Sequence, residues 1–408
     1  MTLQEAREKL ERCGQMQLLR FYDTLDEAAR QKLLKQIART DFDVLKNMEQ
    51  RGKQPARGVF SPIDVLELPN IKQNEARFRK AGLDIIRSRK AAAVLLAGGM
   101  GTRLGSDNPK GMFDIGLTRP VYIFQRLIEN LLEVTNEAGN TIRLFIMTSE
   151  KNHDATVSFL KKKNFFGYPE EDVIFFEQDM APACDYDGKV FLEEKDTIAT
   201  SPNGNAGWYL SMRKAHLDQM LHEEGIEWLN IFSVDNVLQR IADPVFLGAT
   251  ALAEADSGAK VVRKAAPDEA VGVMCLEDGR PSIVEYYDLT DEMRDAVNEK
   301  GEPAYNFGVI LNYLFYEPAL ARVVDRRLPL HVVEKKIPHV DETGTPVKPD
   351  KPNGCKFEQL VLDMIHELDS CVVFEVVRER DFAPVKNKEG VDSVDTAREL
   401  CRQNGIAL

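Results

Sequence analysis

Residues 91–99, AAAVLLAGG, are uniformly apolar and run directly into glycines. So short and continuous a run reads as a strand buried on both faces, entering a loop. A strand of that kind fits a parallel sheet covered on both faces. Similar runs follow at 141–148, 172–176, 228–234, 260–263 and 272–276. Helix-like stretches lie between several of them, at 122–135, 152–163 and 210–224. Strand and helix alternating at this pitch predict a doubly wound α/β sheet, with ligands bound beyond the carboxyl ends of its strands.

The flanks differ from this centre. Residues 1–88 read as a helical segment, with Leu3, Leu10, Cys13, Leu18 and Leu19 at rough helical spacing. Thr24-Leu25-Asp26-Glu27 has the form of a capping box before a second helix. Residues 52–69 are richer in Gly and Pro and read as a linking loop. The α/β domain is expected over 89–328. A short C-terminal segment over 329–408, of α+β character, is expected to contribute to the site. Within it, 341–354 reads as a loop, 357–368 as a helix and 370–377 as a strand.

Chemistry concentrates in residues 95–117, LLAGGMGTRLGSDNPKGMFDIGL. Gly98, Gly99, Gly101 and Gly105 follow the buried strand directly. Glycines there let the backbone approach a phosphate and turn its N–H groups inward. Arg103 and Lys110 add positive charge. Started at Gly99, both the dinucleotide fingerprint and the P-loop meet Leu104 where they need glycine, so neither is supported. A plain tight turn bearing surface charges is the competing explanation. Four glycines with Arg and Lys after a buried strand favour a phosphate site over it.

The whole-chain charge is −13. That excludes a general nucleic-acid surface, which needs a basic footprint, and requires any phosphate site to be local. No run of 18 apolar residues predicts a membrane span. The opening MTLQEAREKLERCGQ lacks the apolar core of a secretory signal. The six cysteines form no C-x-x-C pair and read as reduced thiols of a cytoplasmic protein.

L-A-G-G-x-G-T-R-L-G followed by P-K-G-M-F resembles the signature of the UDP-N-acetylhexosamine pyrophosphorylases, within the UDP-sugar pyrophosphorylase group. MTSE (147–150), FFEQDMAPACDYDGKVFLEEK (175–195), SPNGNAGWY (201–209), VDN (234–236), VEYYD (284–288), KPDKPNGCKFEQ (348–359) and APVKN (383–387) resemble the same family in the same order. The resemblance implies a Rossmann-like, GT-A-like nucleotidyltransferase fold with a mixed sheet. It implies a UTP site at Leu96, Ala97, Gly98, Gly99, Lys110, Gln178, Gly204, Asp235 and Lys356. It implies a sugar site at Asn205, Glu285, Asn306 and Lys386. Asp235 is implied to hold Mg²⁺, and Arg103, Lys110, Lys356 and Lys386 to serve catalysis. A monomer or weak homo-oligomer is expected.

The implied reaction explains the residue types. A sugar 1-phosphate oxygen attacks the α-phosphorus of UTP, and pyrophosphate leaves. A phosphate monoester has a second pKa of about 6, so the nucleophile arrives ionised and needs no general base. Positioning and charge neutralisation then carry the catalysis. N-acetylglucosamine 1-phosphate is the first choice of sugar. Val309 and Tyr313 replace a family asparagine and histidine, and Ala206 replaces a glycine, which leaves glucose or galactose 1-phosphate as alternatives. A catalytically inactive UDP-sugar-binding protein is the remaining alternative, against which Lys110, Asp235, Lys356 and Lys386 are all intact.

Overall fold

A computed structural model describes residues 1–51, 57–323 and 328–408. The chain divides into two compact units. The smaller comprises Met1–Arg57, Asp179–Gly207 and Arg327–Asp363, and the larger comprises Gly58–Gln178, Trp208–Arg326 and Met364–Leu408. Neither is a consecutive stretch, so the observed division crosses the positions 88 and 328 suggested by the sequence.

In the smaller unit, helices α1 (Leu3–Arg12) and α2 (Glu27–Arg39) bury Leu10, Leu33, Leu34 and Ile37 against Cys184, Val190, Cys355 and Phe357. Asp26, rather than Thr24, caps α2, accepting from Ala29 N at 2.9 Å. Thr24 instead donates its hydroxyl to Phe21 O. Strands His331–Lys335 and Gly354–Glu358 pair antiparallel. Phe357, read from sequence as helical, therefore lies on a strand, and the helix begins at Val361. Phe357 is fully buried, so the core claims it for the sheet.

In the larger unit, helix α3 (Leu68–Arg87) precedes strand β1 (Ala91–Leu96). Then come α4 (Ile123–Ala138), β2 (Arg143–Thr148), α5 (His153–Lys162), β3 (Val173–Glu177) and β4 (Trp228–Ser233). After these follow α6 (Pro244–Leu252), β5 (Ser257–Arg263), β6 (Phe307–Tyr316), β7 (Cys371–Glu375) and α7 (Val394–Gln403). The sheet runs β7-β5-β6-β4-β1-β2-β3. β4, β1, β2 and β3 are mutually parallel, and β6 lies antiparallel between β4 and β5, so the sheet is mixed.

Helix α3 packs on α6 through two glycines, which explains why it joins the larger unit. A Cβ on Gly82 would lie 1.9 Å from Pro244 O, and one on Gly248 would lie 1.8 Å from Phe78 O. The stretch 210–224 divides into two helices at His216, whose φ of 58° ends regular helix. Residues 52–56 of the expected linking loop lie outside the described residues. Pro69 sits in the first turn of α3, where a missing N–H costs nothing. No helix among the described residues is long and apolar enough to cross a membrane.

Candidate functional site

The glycine loop leaves β1 at its carboxyl end, at the centre of the sheet. Ala97 N donates to Met147 O at 2.8 Å, extending the β1–β2 pairing by one residue. Beyond it the backbone is held by Asn152, which is 1% exposed. Its Nδ2 donates to Ala97 O at 2.9 Å and to Gly99 O at 3.3 Å. Gly99 O also accepts from Lys110 N at 3.1 Å. With these carbonyls engaged, the loop is fixed rather than free. Asn152 was not singled out from sequence, because an asparagine at a helix start ordinarily reads as a cap.

Gly98 has no room for a side chain. A Cβ there would lie 2.6 Å from Nε2 of Gln178. Gln178 follows β3, its backbone N donating to Thr148 O at 2.7 Å. Its Nε2 is buried and has no hydrogen-bond partner among the described residues. An unsatisfied amide donor against a glycine backbone costs free energy unless a ligand acceptor reaches it.

Lys110 opens a short 3₁₀ turn, Lys110–Met112. Gly111 lets that turn sit on Phe124, since a Cβ would lie 2.3 Å from the ring. The Lys110 side chain is 7% exposed, and its Nζ lies 2.6 Å from Asp235 Oδ1. Asp235 follows the end of β4, where an open α/β sheet carries its ligands. Burial pushes the Lys110 ammonium below the ordinary lysine range. Asp235 pulls it back up, and the nearby cations Arg103 and Lys386 push it down. Arg103 lies exposed in the turn Thr102–Leu104. Lys386 Nζ donates to Asp392 Oδ2 at 3.0 Å. Leu96, Ala97, Gly98, Gly99, Arg103, Lys110, Gln178, Asp235 and Lys386 thus belong to one unit, and Arg103, Asp235 and Lys386 all act electrostatically on Lys110.

Two further sequence candidates lie elsewhere in that unit. Glu285 follows a buried hairpin strand and faces Gly272, whose added Cβ would lie 3.3 Å from Glu285 Oε2. Tyr313, on β6, is 3% exposed, and burial with Glu285 nearby holds its phenol neutral. The residue standing for the family's histidine is therefore buried and within electrostatic reach of Glu285. Asn306 borders a cavity of about 190 Å³ with Lys264, Leu289, Met293 and Tyr305. Val309 donates its backbone N to Gly272 O at 2.9 Å.

Gly204, Asn205 and Lys356 belong to the smaller unit. Gly204 has φ +93°, and a Cβ would lie 2.1 Å from Gln359 O. Gln359 N donates to Asn203 O at 2.7 Å and Gln359 O accepts from Ala206 N at 3.1 Å, which joins the Gly204 turn to the strand bearing Lys356. Asn205 starts the turn Asn205–Gly207, and Ala206 is fully buried.

No three His, Cys, Asp or Glu among the described residues gather into a metal-holding group. Magnesium is commonly held by one or two carboxylates together with substrate phosphates. Asp235, at a strand end and 25% exposed, fits that pattern as a single protein ligand.

A profile of the family described as UTP–glucose-1-phosphate uridylyltransferase matches residues 41–397. A Mus musculus protein named UDP-N-acetylhexosamine pyrophosphorylase-like protein 1 is 38% identical over 413 residues, covering 95% of this chain and 81% of that one. The UDP-N-acetylglucosamine pyrophosphorylase of Saccharomyces cerevisiae is 35% identical over 339 residues, covering 80% and 71%. The crystal structure of the uridine diphosphate N-acetylglucosamine pyrophosphorylase from Trypanosoma brucei, in complex with inhibitor, matches with a TM-score of 0.83 and 27% identity, covering 96% of this chain and 83% of that one. The mixed sheet is thus that of a nucleotidyltransferase, and a chain matched by the profile from residue 41 to residue 397 belongs to the UTP–glucose-1-phosphate uridylyltransferase family of UDP-sugar pyrophosphorylases.

Proposed function

We propose that this chain is a uridylyltransferase that makes a UDP-sugar and pyrophosphate from UTP and N-acetylglucosamine 1-phosphate. The observation that carries this is the buried Lys110, held by Asp235 beside a glycine loop and joined electrostatically by Arg103 and Lys386. The Mus musculus, Saccharomyces cerevisiae and Trypanosoma brucei relatives, all named for N-acetylated sugars, support the choice of sugar.

In the reaction, an oxygen of the sugar 1-phosphate forms a bond to the α-phosphorus of UTP, and the bond from that phosphorus to the bridging oxygen of pyrophosphate breaks. The attacking oxygen carries its own charge at neutral pH, so no side chain takes a proton. The Gly98–Gly99 backbone, with Leu96 and Ala97, receives the nucleotide. Gln178 offers its unpartnered Nε2 to a uracil carbonyl, which supports its assignment to the base. Lys110 neutralises charge growing on the departing pyrophosphate, and Lys386 and Lys356 act on the phosphates, with Arg103 in support. Gly204, in the smaller unit, is assigned to the uracil by the family resemblance. Asn205, Glu285 and Asn306 act on the sugar.

Asp235 would hold Mg²⁺, and the cation would supply charge neutralisation at the nucleotide phosphates. A cytoplasmic setting accords with six free cysteines. A monomer or weak homo-oligomer completes the proposal.

Phosphorus-31 NMR of UTP with N-acetylglucosamine 1-phosphate and Mg²⁺ tests it. Appearance of a pyrophosphate diester and free pyrophosphate is expected. Hydrolysis of UTP without transfer, or binding without change, overturns it.

A further inference from the structure

Asp235 and Lys386 come from segments about 150 residues apart, yet one side chain ties them together. Asn236 is 1% exposed and makes three hydrogen bonds through its amide. Its Oδ1 accepts from Ala383 N at 2.8 Å and from Leu238 N at 3.3 Å. Its Nδ2 donates to Asp381 O at 2.6 Å. The backbone adds Val385 N to Asp235 O at 2.9 Å and Val237 N to Ala383 O at 3.2 Å, around an antiparallel bridge between Asn236 and Pro384. Lys386 is the next residue after Val385, which is fully buried.

We propose that Asn236 is a positioning residue, whose buried amide clasps the segment 381–385 to the end of β4 and so delivers Lys386 in fixed register with the Lys110–Asp235 pair. This rests on the uridylyl-transfer proposal above. An amide suits the task, because the clasp needs a donor and an acceptor on one short side chain. Leu or Ala would leave Asp381 O and Ala383 N buried without partners.

The clasp is separable from the fold of the C-terminal segment, which is anchored independently. Arg398 donates to Ile115 O at 3.0 Å and Gly116 O at 3.2 Å. Thr118 N and its hydroxyl both donate to Leu408 O. Asn404 Nδ2 donates to Glu379 O at 2.7 Å. With those contacts intact, loss of the Asn236 amide loosens the register of Lys386, which the backbone bonds and Asp392 then hold alone, without releasing α7.

Asn236→Asp keeps the shape and the two accepting contacts but sets an acceptor against Asp381 O. Asn236→Ser keeps one short polar group without charge. Each is made in the full-length chain, alone and with Lys386→Met. Turnover is measured with UTP, Mg²⁺ and N-acetylglucosamine 1-phosphate, and the rate at which an amine-reactive ester acylates Lys386 is read by peptide mass spectrometry. Expected are a fall in kcat of about 10- to 100-fold for each Asn236 variant, less than about 3-fold further loss when Lys386→Met is already present, and several-fold faster acylation of Lys386. Additive losses in the double variants, an unchanged acylation rate, or failure of both Asn236 variants to fold overturns the clasp. Wild-type protein without uridylyl transfer overturns the functional proposal instead, and acylation, read without turnover, still judges the clasp.

Discussion

Lys110 Nζ lies 2.6 Å from Asp235 Oδ1, joining the turn after β1 to the end of β4. The lysine is 7% exposed and the carboxylate 25%, so the ammonium is largely shielded from water. An ammonium held this way needs little reorganisation when charge develops beside it.

Lys110→Met is therefore expected to lower kcat by about 100- to 1000-fold while the protein stays folded. Burial holds the ammonium below its ordinary value of 10.5, so the alkaline limb of the rate profile begins below that pH. Lys110→Arg shifts the limb upward, because guanidinium stays charged. A pH–rate profile of the two variants checks both statements, and an unchanged kcat in Lys110→Met removes the lysine from the chemistry.

Gly98→Ala sets a methyl 2.6 Å from Gln178 Nε2. The glutamine is the softer partner, so it is expected to swing away. KM for UTP should rise about 10-fold or more, on the ordinary worth of a lost buried hydrogen bond, with the melting temperature nearly unchanged. Steady-state kinetics with varied UTP measures this. An unaltered KM counts against Gln178 as a base contact.

Stability depends on a buried charge cluster behind the sheet. Lys260, on β5, is fully buried and donates to Asp243 at 2.9 Å and Asp381 at 3.3 Å. Burial opposes its charge, yet the two carboxylates hold its pKa above the ordinary value. Lys260→Met removes the buried cation from both carboxylates, leaving Arg240 3.8 Å from Asp243, and should cost about 3–5 kcal/mol. Urea denaturation reads the loss. A change below about 1 kcal/mol would mean that the carboxylates take up protons or water at little cost.

In the smaller unit, His331 Nε2 lies 2.8 Å from Asp363 Oδ2, and that hydrogen bond raises the imidazole pKa above its ordinary 6.5. A raised folded value means the pair stabilises fully below about pH 6.5 and loses its contribution as pH climbs through the raised value. Wild type should exceed His331→Gln by about 1 kcal/mol at pH 6 and by less at pH 9. Denaturation midpoints of both proteins across that range decide it, and a constant difference contradicts it.

Much of this was legible in the sequence, for physical reasons that differ between elements. Strand β1 is buried along its length, so its apolar run is unambiguous, and the glycines after it are required by contacts such as that of Gly98 with Gln178. Strand β6 was not read as a strand. It carries Asn312 fully buried, bonded to Asn230 and Gln239, and a bulge at Leu311 with φ 52°, so its pattern is neither alternating nor uniformly apolar. Asn152 and Asn236, the second within the quoted VDN, were given no role because their work is to bind backbone of distant segments, which no local spacing records. The membership of α3 in the larger unit was equally hidden, since it rests on the α3–α6 contact through Gly82 and Gly248.

Pyrophosphate release from UTP and Mg²⁺, measured in parallel with the 1-phosphates of N-acetylglucosamine, glucose and galactose, tests the central claim most directly. N-acetylglucosamine 1-phosphate should give the highest kcat/KM, by about 10-fold or more. Release with glucose or galactose 1-phosphate alone, or with none of the three, would contradict it.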